Sequence, residues 1–329
     1  MSSVRKIALQ AGCSIATVSL ALRGDRSISE ATAIRIRSTA NKLGYKYIPK
    51  PSPSSANPNQ RHFVLVTSAW TDRPFPVYAA VIDGIADACR ELDVRFSLHQ
   101  LKTAECVVTL SAMACDGIIY GMADALIEQA LIEKIRSPLV KVMSLPGINW
   151  PYDHVTYNNS MIGYVAGNYL VKNGHHRVAL VDTDNPMFNE RINGAREIIE
   201  QNGGQIDTLR WPAAGFINDM NESAGVFFAA LRTNKVTALF SPGDSFTISI
   251  YQMLLHQGIR PGRDIEVFSC NNENILEQLD PRPLSVDIHA RSVGRMAVRQ
   301  LLWRVENPKE PAITLQISPT LSDISNQTK

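Results

Sequence analysis

Thr17, Ser19 and Arg23 put two short hydroxyls and one permanent cation into the seven-residue run TVSLALR. Such side chains hold phosphate oxygens, and contacts of that kind set register along a polynucleotide backbone rather than read its bases. A second set, Trp70, Asp72, Arg73 and Phe75, lies in SAWTDRPFP. Its aromatic faces could stack on a sugar ring or a base. Asp72 reads equally well as an ordinary surface acid, and Trp211 as an ordinary core or surface aromatic. His175-His176 follows Gly174 at a helix end and lacks partners at metal-ligand spacing. A favourable charge at a helix C-terminus is expected there, with no metal site. The chain has no GxGxxG, no P-loop and no GxSxG, so no cofactor and no catalytic residue is assigned.

The elements that must carry the first set begin almost at Met1. Ile7 and Ala8, then Val18, Leu20, Ala21 and Leu22, are apolar where two crossing helices must touch. Ala11-Gly12 breaks the first helix, because glycine takes the turn's backbone angles without steric cost. Ser14 is placed to cap the second by accepting from a free backbone N–H. Ser29 opens a third helix whose apolar side is Ala33, Ile36, Ala40 and Leu43, spaced by three and four. Charge then separates a bland helical hairpin from a nucleic-acid reader. Residues 1–50 carry nine Lys and Arg against Asp25 and Glu30, a balance of +7, and the rest carries twenty-four against twenty-nine, a balance of −5. The net +2 therefore hides a basic head on a mildly acidic body, as expected of a protein that neutralises phosphates at one end. A DNA-binding helix-turn-helix is the reading. Arg35, Arg37, Lys42 and Lys46 read equally well as a solvated face.

The 329 residues suit a small head plus one large or two medium domains, and a hydrophobic content of 45% supplies a sizeable core. With no run of eighteen apolar residues and no N-terminal apolar segment with a cleavage site, neither membrane spanning nor secretion is expected. The five cysteines are odd in number and lack CxxC spacing; small buried hydrophobes in a reducing cytoplasm fit them. Pro49, Pro51, Pro53 and Pro58 make residues 49–61 an extended linker. From Phe63 onward, strand-like runs at Phe63–Val66, Val94–Leu98, Gly117–Tyr120 and Leu139–Met143 alternate with helices, one presenting Val81, Ile85, Ala88, Cys89 and Leu92. After Val155 the pattern restarts with a helical face at Ile162, Val165, Ala166, Tyr169 and Leu170. Strands at Val178–Val181, Thr237–Phe240, Ile265–Phe268 and Leu284–Val286 follow. This is an α/β fold with doubly wound parallel sheets in two successive units.

The head run I-A-x-x-A-G-x-S-x-x-T-V-S-x-A-L-x-G, followed by I-S-x-x-T and L-G-Y, closely resembles the N-terminus of the lactose-repressor (LacI) family of bacterial transcription regulators. The likeness continues through G-x-x-x-G-x-x-L-x-x-x-G-H-x-R-V (Gly163 to Val178), R-x-x-G (Arg191 to Gly194) and A-L-F-S-P-G-D (Ala238 to Asp244). It weakens after about residue 310. The resemblance implies a periplasmic-binding-protein-like pair of subdomains in which the chain crosses three times, so a last strand near Ile313–Ile317 does not belong simply to the second unit. It also carries base-reading roles to Ile15, Ala16 and Leu20 at the start of the second helix. All three are apolar and suit thymine methyl groups rather than bidentate base contacts; for Ile15 and Leu20, packing inside the head is the other reading. Ser14 joins Thr17, Ser19 and Arg23 in the DNA-facing set.

By the same resemblance, Arg191, Asp244 and Asn271 fall at effector-binding positions, with a structural ion pair as the other reading of Arg191. Asn158 and Asn271 stand where relatives carry aspartate, which implies that an anionic sugar derivative would meet less repulsion here. The linker departs from the family: it offers no leucine wedge to kink DNA. The expected layout is a head at 1–48, the linker at 49–61, a first core subdomain at 62–157 to which about 289–317 returns, and a second at 158–288. The expected function is a cytoplasmic, homodimeric, sequence-specific repressor with no enzyme activity and no membrane partner. Its partners would be a double-stranded DNA operator and a sugar-like small-molecule effector. A solute-binding protein or an enzyme on the same core is the alternative.

Overall fold

Ser14 and Ser29 each turn a hydroxyl back onto the helix that they precede. In this computed structural model the Thr17 N–H donates to Ser14 Oγ at 3.0 Å and the Thr32 N–H to Ser29 Oγ at 3.4 Å. The structure describes residues 4–23, 28–45, 60–68, 76–121, 125–143, 150–183, 186–211 and 228–322, the last span with gaps at 230, 232 and 234. The chain forms two compact units, Met1–Gln60 and Arg61–Lys329.

The first unit holds α1 (Val4–Ala11), α2 (Ile15–Arg23) and α3 (Glu30–Lys42). Gly12 takes φ +61° between α1 and α2, a left-handed angle that strains most other residues. Ile7, Ala8, Ala11, Val18, Ala21, Leu22, Ala33, Ile36 and Ala40 make the buried core, with Leu43 packed against it beyond the end of α3. Leu20 is half-buried, outside that fully buried set.

The second unit contains two six-stranded sheets. In the first, β1 (His62–Ser68), β2 (Arg95–Leu101), β3 (Gly117–Gly121), β4 (Leu139–Val142), β5 (Asp153–Tyr157) and β11 (Thr314–Ile317) run in the order β11-β5-β4-β3-β1-β2. In the second, β6 (Arg177–Thr183), β7 (Gln205–Trp211), β8 (Ala238–Phe240), β9 (Glu266–Asn271), β10 (Leu284–Asp287) and β12 (Thr320–Leu321) run in the order β12-β10-β9-β8-β6-β7. The two orders are the same winding repeated, and every pairing is parallel except β10 with β12. Sequence reading did not name β5 or β7, whose residues mix polar and apolar types. The helices between are α4 (Pro76–Glu91), α5 (Cys106–Ser111), α6 (Ala125–Lys134), α7 (Asn159–Lys172), α8 (Asn189–Gln201), α9 (Asp244–His256) and α10 (Ala290–Glu306).

The chain enters the second sheet through α7, returns through α10 to β11 beside β5, and ends on β12. Asp153 fixes the return. It accepts from Gln300 Nε2 at 2.7 Å, from Arg304 Nη2 at 2.7 Å and from the Ile313 N–H at 2.9 Å. One continuous core joins Phe63 and Leu65, through Ile85 and Val293, to Ile162, Phe240 and Phe268. Each such buried side chain contributes about 1.5–3 kcal/mol. Leu92 differs from expectation: it lies past the end of α4 and is 42% exposed, because the helix stops at Glu91.

Glycines set a close helix crossing between α7 and α8. A Cβ on Gly163 of α7 would overlap the carbonyl oxygen of Arg191 on α8, and one on Gly194 would lie 2.5 Å from the Ser160 carbonyl oxygen. The G-x-x-x-G and R-x-x-G motifs are therefore the two sides of one contact, which delivers Arg191 to the N-terminus of α7. Among the described residues, no helix is long and apolar enough to cross a membrane, and no cluster of His, Cys, Asp or Glu could hold a metal ion. All five cysteines are free; Cys89 and Cys270 are buried and Cys13, Cys106 and Cys115 half-buried.

Candidate effector site and nucleic-acid interface

The start of α2 is the exposed edge of the head. Ser14, Ile15 and Ala16 are solvent-facing, Ile15 at 50%, whereas Thr17, Ser19 and Leu20 are half-buried. Half of a large apolar surface left in water is not a core position, and an exposed apolar tip suits a partner with methyl groups. Ser14 Oγ and Thr17 Oγ1 lie 2.8 Å apart, so the Ser14 hydroxyl shapes the helix start as well as facing outward. The side chain of Arg23 lies outside the described residues, as do residues 46–59 and hence most of the proline-rich linker. Arg5, Lys6, Arg35 and Lys42 are exposed around the same unit, giving it a positive surface.

In the second unit, Arg191 is fully buried at the carboxyl ends of the strands. Its Nε and Nη2 donate to Asn159 Oδ1 at 3.3 and 3.1 Å. Its Nη1 donates to the Pro242 carbonyl oxygen and, at 3.2 Å, to Asn271 Oδ1. The guanidinium carbon sits 5.5 Å from the Tyr157 ring centre and 5.3 Å from that of Phe188. Arg191 thus gathers the ends of β5, β8 and β9 with the start of α7. Among the described residues it makes no ion pair; its hydrogen-bond partners there are amide and carbonyl oxygens, which a planar fork serves in several directions at once.

Asp244, first residue of α9, lies beneath this cluster with no exposed surface. It accepts from the Glu273 N–H at 2.7 Å and from the Ser269 and Ser285 hydroxyls. Burial pushes its carboxyl up to about 7, opposed by the hydrogen bonds from Glu273 N–H and Ser269. Asp244 and Arg191 share no hydrogen bond; the acid holds the turn after β9. That turn is strained: Asn271 has φ 108° and Asn272 φ 57°. Such left-handed angles cost about 1–3 kcal/mol each and persist where surroundings over-determine them. Here the Asn272 N–H is held by Ser285 Oγ at 3.0 Å. Burial also pushes the Cys270 thiol up to about 12, which leaves it an inert packing group.

Sequence reading missed Glu273. Its carboxylate accepts from Asn271 Nδ2 at 3.2 Å, and burial raises its pKa. The run Asn271-Asn272-Glu273-Asn274 after a strand was the available signal. Glu273 returns an acid to a cluster where asparagines stand, so the site is not the acid-poor one that Asn158 and Asn271 implied. Asn158 is instead the N-cap of α7, accepting from the Met161 N–H at 2.9 Å. His175 does not serve as a simple helix cap: its ring bridges Glu266 at 2.7 Å and Thr237 at 2.9 Å. Trp211 is core, packed edge-on against Phe246. Trp70, Asp72, Arg73 and Phe75 lie outside the described residues.

Two family models match, one within each unit. The model for bacterial regulatory proteins of the lacI family matches residues 3–47, and that for the periplasmic binding protein-like domain matches residues 168–323. The chain belongs to the lacI family. This lacI-family protein is 23% identical to the ribose operon repressor of Haemophilus influenzae over 328 residues, 97% of each chain. It is 24% identical to the HTH-type transcriptional repressor PurR of Vibrio vulnificus, over 98% of this chain and 97% of that one. A solved complex of the transcriptional regulator CelR with cellobiose superposes with a TM-score of 0.67 at 22% identity, over 98% of this chain and 99% of that one, a likeness of fold. The lacI-family protein is accordingly a DNA-binding transcription regulator with a helix-turn-helix head and a ligand-binding type of core.

Proposed function

We propose that this regulator is a repressor that binds its operator as a homodimer and changes affinity when a small polyhydroxyl metabolite enters the core. The observation that carries the reading is the buried Arg191, which draws Asn159, Pro242 and Asn271 together at strand carboxyl ends. Ligands of doubly wound folds lie at such ends. A repressor of a ribose operon and a regulator solved with cellobiose among similar proteins favour a sugar-like effector. Two heads are needed because one helix-turn-helix covers a half-site and symmetric operators mirror two-fold proteins.

In this reading residues 1–48 read DNA and 49–61 link; 62–157, with about 289–317, form one wall of the effector site and 158–288 the other. Ser14, Ile15, Ala16, Thr17, Ser19, Leu20 and Arg23 face DNA. Arg191 and Asn271, braced by Asp244, face the effector, with Trp70, Asp72, Arg73 and Phe75 from the other wall. The site of action is the cytoplasm, beside the chromosome. A transport protein or an enzyme would have no use for the basic head.

The test is fluorescence anisotropy of the full chain on an operator selected from random DNA, titrated with D-ribose, cellobiose and related sugars. A change of roughly fivefold or more in operator affinity is expected, the range of ordinary allosteric coupling. A chain that selects no sequence, or whose operator affinity ignores every sugar, would remove the reading.

A further inference from the structure

A cavity of about 480 Å³ in the second unit shares no lining residue with the Arg191 cluster. It is lined by Asn272, by Glu277 of the short 3-10 helix Asn274–Gln278, by Arg282, by Asp287 at the end of β10, and by Thr320 and Ser322 at β12. That volume falls within the range of small-molecule sites.

Asn272 holds the middle of a hydrogen-bonded chain along this cavity. Its Oδ1 accepts from Arg282 Nη2 at 3.0 Å, and its Nδ2 donates to Asp287 Oδ2 at 3.2 Å. Asp287 Oδ1 accepts the His289 N–H at 2.7 Å, and the His289 ring lies 2.9 Å from Thr320 Oγ1. The chain therefore ends where the polypeptide crosses between subdomains, after β10 and again before β12. Two charged groups are left over. Arg282 Nε is screened from solvent with no hydrogen-bond partner among the described residues, and a buried donor left in that state is destabilising until an acceptor reaches it. Glu277 is exposed, and among the described residues it makes no hydrogen bond or ion pair.

These charges select the ligand. One guanidinium and two carboxylates line the cavity, so a phosphate or a simple carboxylate meets more acid than base. A plain amine would leave Arg282 Nε without its acceptor. A molecule that carries both charges satisfies both groups. We propose that the cavity is a further small-molecule site, outside the Arg191 cluster, and that it takes a free α-amino acid. The ligand carboxylate lies against Arg282, whose planar fork makes charge-assisted bonds to such a group. The ammonium lies against Glu277, because Asp287 is already held by Asn272 and the His289 N–H. The Thr320 and Ser322 hydroxyls, each able to donate and to accept, face a polar ligand side chain.

Thermal-shift titration of the full chain tests this, since a ligand of the folded state raises the melting temperature by mass action. The probes are L-serine, L-threonine and L-glutamine, with ethanolamine as serine without its carboxylate and glycerate as serine with hydroxyl for ammonium. At least one amino acid should stabilise the chain, and ethanolamine and glycerate should do so far less than L-serine. Arg282→Gln should weaken amino-acid binding by roughly tenfold or more, because it removes the charge-assisted fork. Glu277→Gln alters an exposed side chain and leaves the fold intact. It should weaken the amino acid several-fold without weakening glycerate. Failure of all three amino acids to stabilise the wild type overturns the proposal. So does glycerate binding as tightly as L-serine, or amino-acid affinity unchanged in Glu277→Gln. None of these readouts uses operator or sugar, so they stand apart from the test of sugar-controlled repression.

Discussion

Asp244 accepts the backbone N–H of Glu273 at 2.7 Å, so the acid that starts one helix holds the strained turn after the neighbouring strand. The cost of burying that acid is legible in its pKa, which burial pushes from 3.8 up to about 7. Between those values the folded chain keeps a proton that the unfolded chain has lost. Its stabilising contribution is complete at low pH and disappears as pH rises through 7, an effect of at most about 4 kcal/mol.

Urea unfolding between pH 5 and pH 8 should therefore show a midpoint that falls as pH rises. Glu273, raised by burial, acts in the same direction, whereas Glu266, lowered by His175, acts against it. Asp244→Asn should flatten the slope, because the amide carries no titrating proton. A slope that is the same in the variant would assign the effect to other groups.

Removing Arg191 takes donors from three buried acceptors at once. Each unsatisfied group costs about 1–3 kcal/mol, so Arg191→Ala should lower core stability by several kcal/mol. Arg191→Lys should rescue little, since an ammonium cannot reach acceptors on β9, α7 and the Pro242 loop together. Below its melting temperature the Arg191→Ala chain should still bind its operator yet ignore sugars. Calorimetry and anisotropy on one preparation check both halves of the expectation.

Gly163→Ala should act on Arg191 from a distance. The new methyl would overlap the Arg191 carbonyl oxygen and lie 2.6 Å from the Ala195 nitrogen, so α7 and α8 must separate. Overpacking of this kind costs about 1–3 kcal/mol. Sugar binding should weaken along with stability, and operator selection should not change. Guanidinium melts paired with sugar titrations measure the two effects.

For the head, Ile15→Asn replaces an exposed apolar tip by a donor-acceptor amide. Selection on random DNA should then return a site altered at one position in each half, with a new preference for adenine. Arg23→Ala should instead weaken all sequences alike and reduce the salt slope by about one. If Ile15→Asn recovers the parental site, direct readout by Ile15 is wrong.

The sequence by itself determined the features that depend on near neighbours. Ser14 capping Thr17, Gly12 at a left-handed angle, the apolar spacing of Ala33, Ile36 and Ala40, and the alternation of strands with helices are short-range requirements. So was the charge difference between head and body, which is a matter of composition. Motif resemblance marked Arg191, Gly163 and Gly194, yet not that the two glycines form the contact that aims the arginine. Tertiary structure decided what each polar group finds when it is buried. Asp244 meets an amide 29 residues away, Arg191 meets oxygens rather than an acid, and His175 meets Glu266 instead of a helix end. Glu273 had no periodicity to mark it, only its place after a strand, because its role lies in the bonds that its N–H makes to Asp244 and its carboxylate to Asn271. The physical reason is that a buried hydrogen-bonding group must be satisfied by whatever the fold brings within about 3 Å, and sequence separation places no limit on what that is.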